Sequence, residues 1–290
     1  MVTKSDVFST LSKLGVSNGD ILLFHSSLKS FGQVDGGADT VIDGALDAVG
    51  NDGTLVAPTF VLRDFENAYA NWNKDTTPSD VGLITETLRR RNNAVRSDQA
   101  THSVAAIGKQ AEFLTKDHSS FGPRICIYGD YAFSYGSPWQ KMYDLGGKVV
   151  FMGVDLRSNT YKHFIETRII EKYLSPIPDC KEKNQLIDKI AQFENRIDYI
   201  EQTRIKRETG EKTYYSFPFI CSGDRMLDFL ASKNLVKKAY CGQSLFMLFN
   251  IKEMVDALEK DIVINLPYWV PNEESQEWIK DAEILAKNKR

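Results

Sequence analysis

Hydrophobic positions along the chain follow two different patterns. Val7, Leu11 and Leu14 recur at helical spacing and predict a short amphipathic helix over 6–14, closed by Gly15. Ile21 to Phe24 is instead a continuous apolar run between turn-forming residues, the pattern of a strand buried on both faces. A stretch with glycines at 32, 36 and 37 leads into a second helix from about Ala38, with Val41, Ile42, Ala45 and Leu46 on one face and its end near Gly50. After the turn Asn51-Asp52-Gly53, Thr54 to Ala57 predicts a second buried strand, stopped by Pro58. Strand, glycine-bearing loop, helix and strand in this order make a βαβ unit, so the economical class is α/β, a mixed central sheet flanked by helices.

Further elements fit that class. Ser79 to Arg91 predicts a helix, Val104 to Ile107 and Lys148 to Met152 predict strands, and Ser158 to Leu174 predicts a helix with Ile165, Ile169, Ile170 and Tyr173 on its apolar side. Beyond Pro176 and Pro178 the pattern loosens. The charged stretch 180–212 has irregular apolar spacing and fits a helix, exposed strands or a flap. Strand-like runs return at 213–220 and 244–250, with helices expected over 223–233 and 252–259. The expectation is one domain over 1–290, with a core over 1–175 and a more variable portion over 176–290.

Composition narrows the function. With 36 Lys+Arg against 39 Asp+Glu, a net charge of -3 carries no nucleic-acid footprint and no polybasic membrane anchor. The longest apolar runs, such as Val149 to Val154, fall far below the roughly 20 residues a spanning helix needs. The first residues mix Lys, Ser and Asp with single apolar positions, unlike a signal peptide, and Cys126, Cys180, Cys221 and Cys241 lack paired spacing. A cytoplasmic protein with reduced thiols and no metal site is expected; its oligomeric state is left open.

Three polar clusters could carry chemistry. His25-Ser26-Ser27-Leu28-Lys29 directly follows the first buried strand, where open α/β sheets bind ligands. Hydroxyls and N–H groups there, backed by Gly36-Gly37 and a helix start, suit an anionic group, and equally a plain turn. Arg96-Ser97 with Thr101-His102-Ser103 forms a polar loop feeding a strand, in which the hydroxyls could also serve the local backbone. On a helix, His163 and Glu166 share a face, so the carboxylate can fix the imidazole tautomer and raise the basicity of the far nitrogen. The same spacing fits a solvent-exposed pair.

Taken in order, these pieces resemble the aminoglycoside 3-N-acetyltransferase family. The resemblance rests on Gly19-Asp20 through Leu28, Gly36-Gly37, Thr40-Val41-Ile42, Gly53-Thr54-Leu55 and Pro58-Thr59-Phe60. It continues through 82–86, Arg96-Ser97, Thr101 to Ala106 with Gly108, Gly136-Ser137-Pro138-Trp139, Gly147, Gly153, and His163 with Glu166. It covers roughly residues 5 to 175 well and the remainder loosely. It implies an acetyl-CoA or other acyl-CoA cosubstrate, an amino-sugar acceptor, and direct attack of the amine on the thioester. His163 would be the general base, with Glu166 and His102 at the reaction centre. Coenzyme A contacts would come from His25, Ser26, Ser27, Leu28, Lys29, Ser97, Thr101, Ser103 and Ser137. Where the family carries a His-Pro pair, this chain has Gln99-Ala100. Its later segment, 214–223, is aromatic and apolar, with Arg204, Lys206, Arg207 and Lys212 nearby, which points to an acceptor less cationic than an antibiotic, such as a nucleotide-linked amino sugar. A serine hydrolase or thioesterase using Ser26 or Ser27, and a non-catalytic coenzyme A binder, are the competing classes.

Overall fold

The computed structural model describes residues 1–61, 68–126, 128–194, 223–270 and 273–288. Among them a mixed sheet has the strand order β3-β4-β2-β1-β5-β7-β6. The strands are β1 Ile21–Ser26, β2 Thr54–Pro58, β3 Val95–Arg96, β4 Val104–Gly108, β5 Lys148–Met152, β6 Lys237–Cys241 and β7 Ser244–Asn250. β1 runs parallel to both neighbours, pairing Leu22 with Leu55 of β2 and Phe24 with Val150 of β5. The outer strands are antiparallel. Both faces of β1 are buried, which explains its unbroken apolar run.

The helices divide between the two faces. Leu22, Phe24, Val150 and Met152 pack beneath α1 (Lys4–Leu14) and α2 (Ala38–Val49), with α3 (Leu83–Arg89) completing that layer. Leu23, Val149 and Phe151 face the other way. Here lie α4 (Ala111–Thr115), α5 (Pro138–Asp144), α6 (Tyr161–Leu174), α7 (Lys181–Glu194), α8 (Gly223–Ser232), α9 (Ile251–Ile264), α10 (Leu266–Trp269) and α11 (Glu273–Asn288). Alternation along β1 therefore turns His25, like Leu23, toward the face that carries α6.

Several expectations shift at their edges. The helix expected over 79–91 starts only at Leu83, after Gly82 at φ 143°. The one expected from Ser158 starts at Tyr161, because Leu156–Ser158 forms a separate 3-10 turn. Within the undecided stretch, 181–194 is helical; the strand-like run at 213–220 lies outside the described residues. β6 escapes periodicity because it is an edge strand with exposed Lys237, Lys238 and Tyr240. Segments on both sides of residue 176 share the sheet, since β7 pairs with β5 from Lys148 opposite Asn250 to Met152 opposite Phe246. Among the described residues no helix is long and apolar enough to cross a membrane.

α1 and α2 touch through Gly44. A Cβ there would lie 2.6 Å from Val7 Cβ and 2.8 Å from the Lys4 carbonyl oxygen. Gly44→Ala is expected to destabilise the fold by about 1–3 kcal/mol through overpacking, exceeding the roughly 1 kcal/mol that Ala gains over Gly in a helix. Urea unfolding of the two proteins measures the sign.

Candidate active site

At the carboxyl ends of β1 and β2 the sheet opens into a cavity of about 410 Å³. His25 and Ser26 come from the end of β1, Pro58 and Phe60 from β2 and the residues after it, and Thr85 from α3. His102 and Tyr128 come from two loops, and residues 157–160, Lys162 and His163 from the approach to α6 and its first turn.

His163 and Glu166 meet as their helical spacing requires. Nδ1 of His163 donates to Glu166 Oε2 at 2.6 Å, the carboxylate being 2% exposed and the imidazole 16%. The bond places the ring proton on Nδ1 and leaves Nε2 as the nitrogen that carries the lone pair. Burial pushes the His163 pKa well below the ordinary histidine value, and the adjacent Lys162 ammonium acts in the same direction. The Glu166 carboxylate opposes both, yet desolvation of a cation so enclosed dominates, and the ring is neutral at pH 7. Tyr128 closes over it, with its ring 4.7 Å from that of His163 and its hydroxyl 3.3 Å from Nδ1 and 3.4 Å from Nε2, the nitrogen that can accept its proton.

His102 is 4% exposed and sits 6.1 Å from the His163 ring, packed between Phe60, Tyr128 and Phe133. Its pKa is held well below the ordinary value by burial, with the His163 and His118 rings adding to the effect. Nδ1 bonds Thr101 Oγ1 at 3.0 Å, and the backbone N–H donates to Gln99 Oε1. Gln99 also donates to Tyr69 Oη at 2.7 Å, so the residue standing at the His-Pro position ties this loop together.

The remaining hydroxyls stand elsewhere. Ser27 caps a 3-10 turn, Leu28–Phe31, which holds Leu28 and Lys29; its N–H donates to the Met152 carbonyl at 3.0 Å and its carbonyl accepts from Ser30. Ser97 Oγ accepts from the Val104 N–H at 3.0 Å and bonds His118 Nδ1 at 2.9 Å. Ser103 Oγ donates to the Thr59 carbonyl at 2.9 Å, and Ser137 caps α5 by accepting from the Gln140 N–H at 3.2 Å. Of the twelve residues singled out from the sequence, the cavity wall therefore collects His25, Ser26, His102 and His163, with Glu166 directly behind His163. Thr101 reaches the wall only through His102. Ser27, Leu28, Lys29, Ser97, Ser103 and Ser137 are not on it, the buried hydroxyls being directed to backbone groups that would otherwise be unsatisfied. Among the described residues, no hydrogen bond joins the Ser26 or Ser27 hydroxyl to a histidine, the contact by which a serine nucleophile is activated.

The family profile described as aminoglycoside 3-N-acetyltransferase matches residues 23–262, which include the last four residues of β1 and the His163–Glu166 pair. The chain belongs to the aminoglycoside 3-N-acetyltransferase family. An aminoglycoside N(3)-acetyltransferase III from Salmonella sp is 33% identical over 182 residues, covering 57% of this chain and 60% of its own. The match thus spans less than two thirds of that curated relative. The structure of AAC-IIIb in binary complex with CoASH has the same fold, with a TM-score of 0.65, 20% identity, and coverage of 89% of this chain and 96% of its own. A mutant of aminoglycoside acetyltransferase AAC(3)-IVa in complex with apramycin also shares it, with a TM-score of 0.61, 21% identity, and coverage of 90% and 91%.

In this family member, sequence reasoning missed Tyr128, Asn159, Thr160 and Lys162. Adjacency to His163 was the available signal for Lys162; Tyr128 lies 35 positions away from it and carries no local signal. The aromatic run 214–222 and Arg204, Lys206, Arg207 and Lys212 lie outside the described residues.

Burial also makes stability depend on pH. His118 is 1% exposed; its Nε2–H donates to the Ala132 carbonyl at 3.1 Å, and its pKa is pushed down to about 3. The unfolded chain binds a proton near pH 6.5 and the folded chain does not, so stability is lost as pH falls from about 6.5 toward 3. His118→Gln is expected to flatten the loss between pH 6 and 5, above most carboxylate titration, by about 1 kcal/mol per pH unit. Urea denaturation at those two pH values reads the difference.

Proposed function

We infer that the chain is an acyl-CoA-dependent N-acyltransferase acting on the amino group of an amino sugar, with acetyl-CoA as donor. The observation that carries this reading is the buried His163–Glu166 bond at the cavity wall, which leaves Nε2 as a base in a family of N-acetyltransferases. Nε2 takes a proton from the acceptor amine as its nitrogen adds to the thioester carbon. Collapse of the adduct breaks the C–S bond, and the departing thiolate takes up a proton. Amine attack on the thioester needs no acyl-enzyme. Relatives that hold CoASH or apramycin on this fold support a coenzyme A donor and an amino-sugar acceptor. Residues 176–290 form the acceptor-side portion of the one domain, and the residues ending β1 lie on the donor side.

A second acceptor class is favoured by one feature of the cavity. Its described wall carries Lys162 and Arg157, the latter paired with Asp155, but neither Asp nor Glu. Such a wall suits an amino sugar bearing an anionic group, for example a nucleotide-linked one, better than a polycation. Thiol release from acetyl-CoA with a panel of 2-deoxystreptamine antibiotics and nucleotide-linked amino sugars separates the two. Efficient turnover of the antibiotics alone would remove the anionic acceptor.

His163→Ala is expected to lower kcat by about 10²–10⁴-fold, the usual contribution of a positioned base. Because protonation of His163 is disfavoured, the acid limb of kcat/KM should fall with a midpoint below pH 6.5. Removing the neighbouring cation makes protonation easier, so Lys162→Met should move that limb to higher pH. A limb unmoved by Lys162→Met and retained in His163→Ala would assign the base elsewhere.

A further inference from the structure

The cavity wall has one unmet polar requirement. Among the described residues, His25 Nε2 is a buried side-chain nitrogen without a hydrogen-bond partner, and His25 lines the central cavity. Several of its neighbours on the wall are already committed. Asn159 accepts from the Tyr161 N–H at 3.1 Å and points its amide nitrogen at Met254 sulfur, Thr85 donates to the Gly82 carbonyl at 2.8 Å, and the Nδ1 atoms of His102 and His163 are bonded to Thr101 and Glu166. Leaving a buried imidazole nitrogen unpaired costs about 1–3 kcal/mol, so a group retained in this condition is met when the cavity fills.

The placement of His25 says which ligand atom would meet it. The ring is 6% exposed and stacks on Phe151, its register partner on β5, with centroids 5.1 Å apart and planes 16° from parallel. That stack holds it rigidly at the carboxyl end of β1, on the sheet face that carries α6 and His163. Burial takes its pKa down to about 3, so it stays neutral through the working range. It can donate its single N–H without competing with His163 as base. A thioester carbon attacked by an amine on the His163 side needs a fixed donor for its oxygen in the same enclosed space.

Resting on the acyltransferase reading, we propose that His25 is a further catalytic residue, whose neutral imidazole N–H hydrogen-bonds the acyl oxygen of the donor and stabilises the oxyanion formed as the amine adds. The carbonyl π electrons move to that oxygen as the N–C bond forms and return as the C–S bond breaks, so His25 neither gains nor loses a proton. This gives the histidine a role beyond holding the carrier.

The test compares the full-length wild type with His25→Phe, which keeps an aromatic ring for the stack, and His25→Gln, which restores an N–H donor. Acetyl-CoA turnover, calorimetric affinity for CoA and Tm are measured on each. His25→Phe is expected to lose about 10²–10³-fold in kcat, as for loss of one oxyanion donor, with KM for acetyl-CoA and Kd for CoA unchanged. His25→Gln should recover part of the lost rate at the same pH profile. If His25→Phe does not fold, kcat and Kd of His25→Gln alone decide. A weakened Kd for CoA with kcat kept would make His25 a carrier contact, and a changed Tm with both kept would make it a packing residue; either overturns the proposal. Amine-dependent turnover absent from the wild type would remove the acyltransferase reading and His25's role with it, a result distinct from an active wild type matched by its variants.

Discussion

β1 is buried on both faces and hydrogen-bonded on both edges to parallel strands, and this constraint organises the molecule. Parallel pairing cannot be closed by a tight turn, so the chain must leave the sheet and return before β2 and again before β5. Those returns place helices over both faces and bring the carboxyl ends of β1, β2 and β5 to one side. The cavity forms there because the chain diverges from the sheet in opposite directions after adjacent strands. His25 and Ser26 have their positions because they end the strand on which all of this depends.

Around that opening, desolvation governs the electrostatics. All four histidines are pushed toward the neutral form, and burial is the leading cause each time. An imidazole in water at neutral pH is already mostly neutral, so burying the ring costs little charge. Glu166 is different: it is enclosed at 2% exposure, and its oxygen is satisfied by the His163 Nδ1–H. The carboxylate fixes the ring's tautomer, while burial keeps the ring unprotonated until it acts. These two effects oppose one another in pKa and cooperate in geometry.

A second buried charge braces the rim. Arg96, on the two-residue edge strand β3, is 7% exposed and directs its guanidinium to Thr59, Ser103, Lys74 and Thr77. It also lies 4.4 Å from the Trp72 ring centroid. Burial lowers its pKa only to about 10, so the cation persists at neutral pH and its donors must be matched. The hydroxyls of Thr59 and Ser103 are consumed in that matching. Polar density in the 96–103 stretch therefore reflects the support of the site more than the site itself.

Local spacing determined what depends on near neighbours in the chain. The strands at 21–24, 54–57 and 148–152 follow from unbroken apolar runs, the helical stripe of α2 from the 3.6 period, the βαβ order from their succession, and the His163–Glu166 bond from i,i+3 geometry. The family resemblance was legible for the same reason, being an ordered series of short local motifs. Tertiary structure decided what those patterns leave free: which strands lie side by side, which loops converge, and where each hydroxyl is spent. Tyr128 closes over His163 from 35 positions away, and β7 joins β5 across almost a hundred residues of chain. Ser97 turns to His118 and Val104, and His25 is left without a partner, because satisfying buried polar groups is a property of the whole packed arrangement. A residue's type states what it can bond, and only the fold states what is within reach.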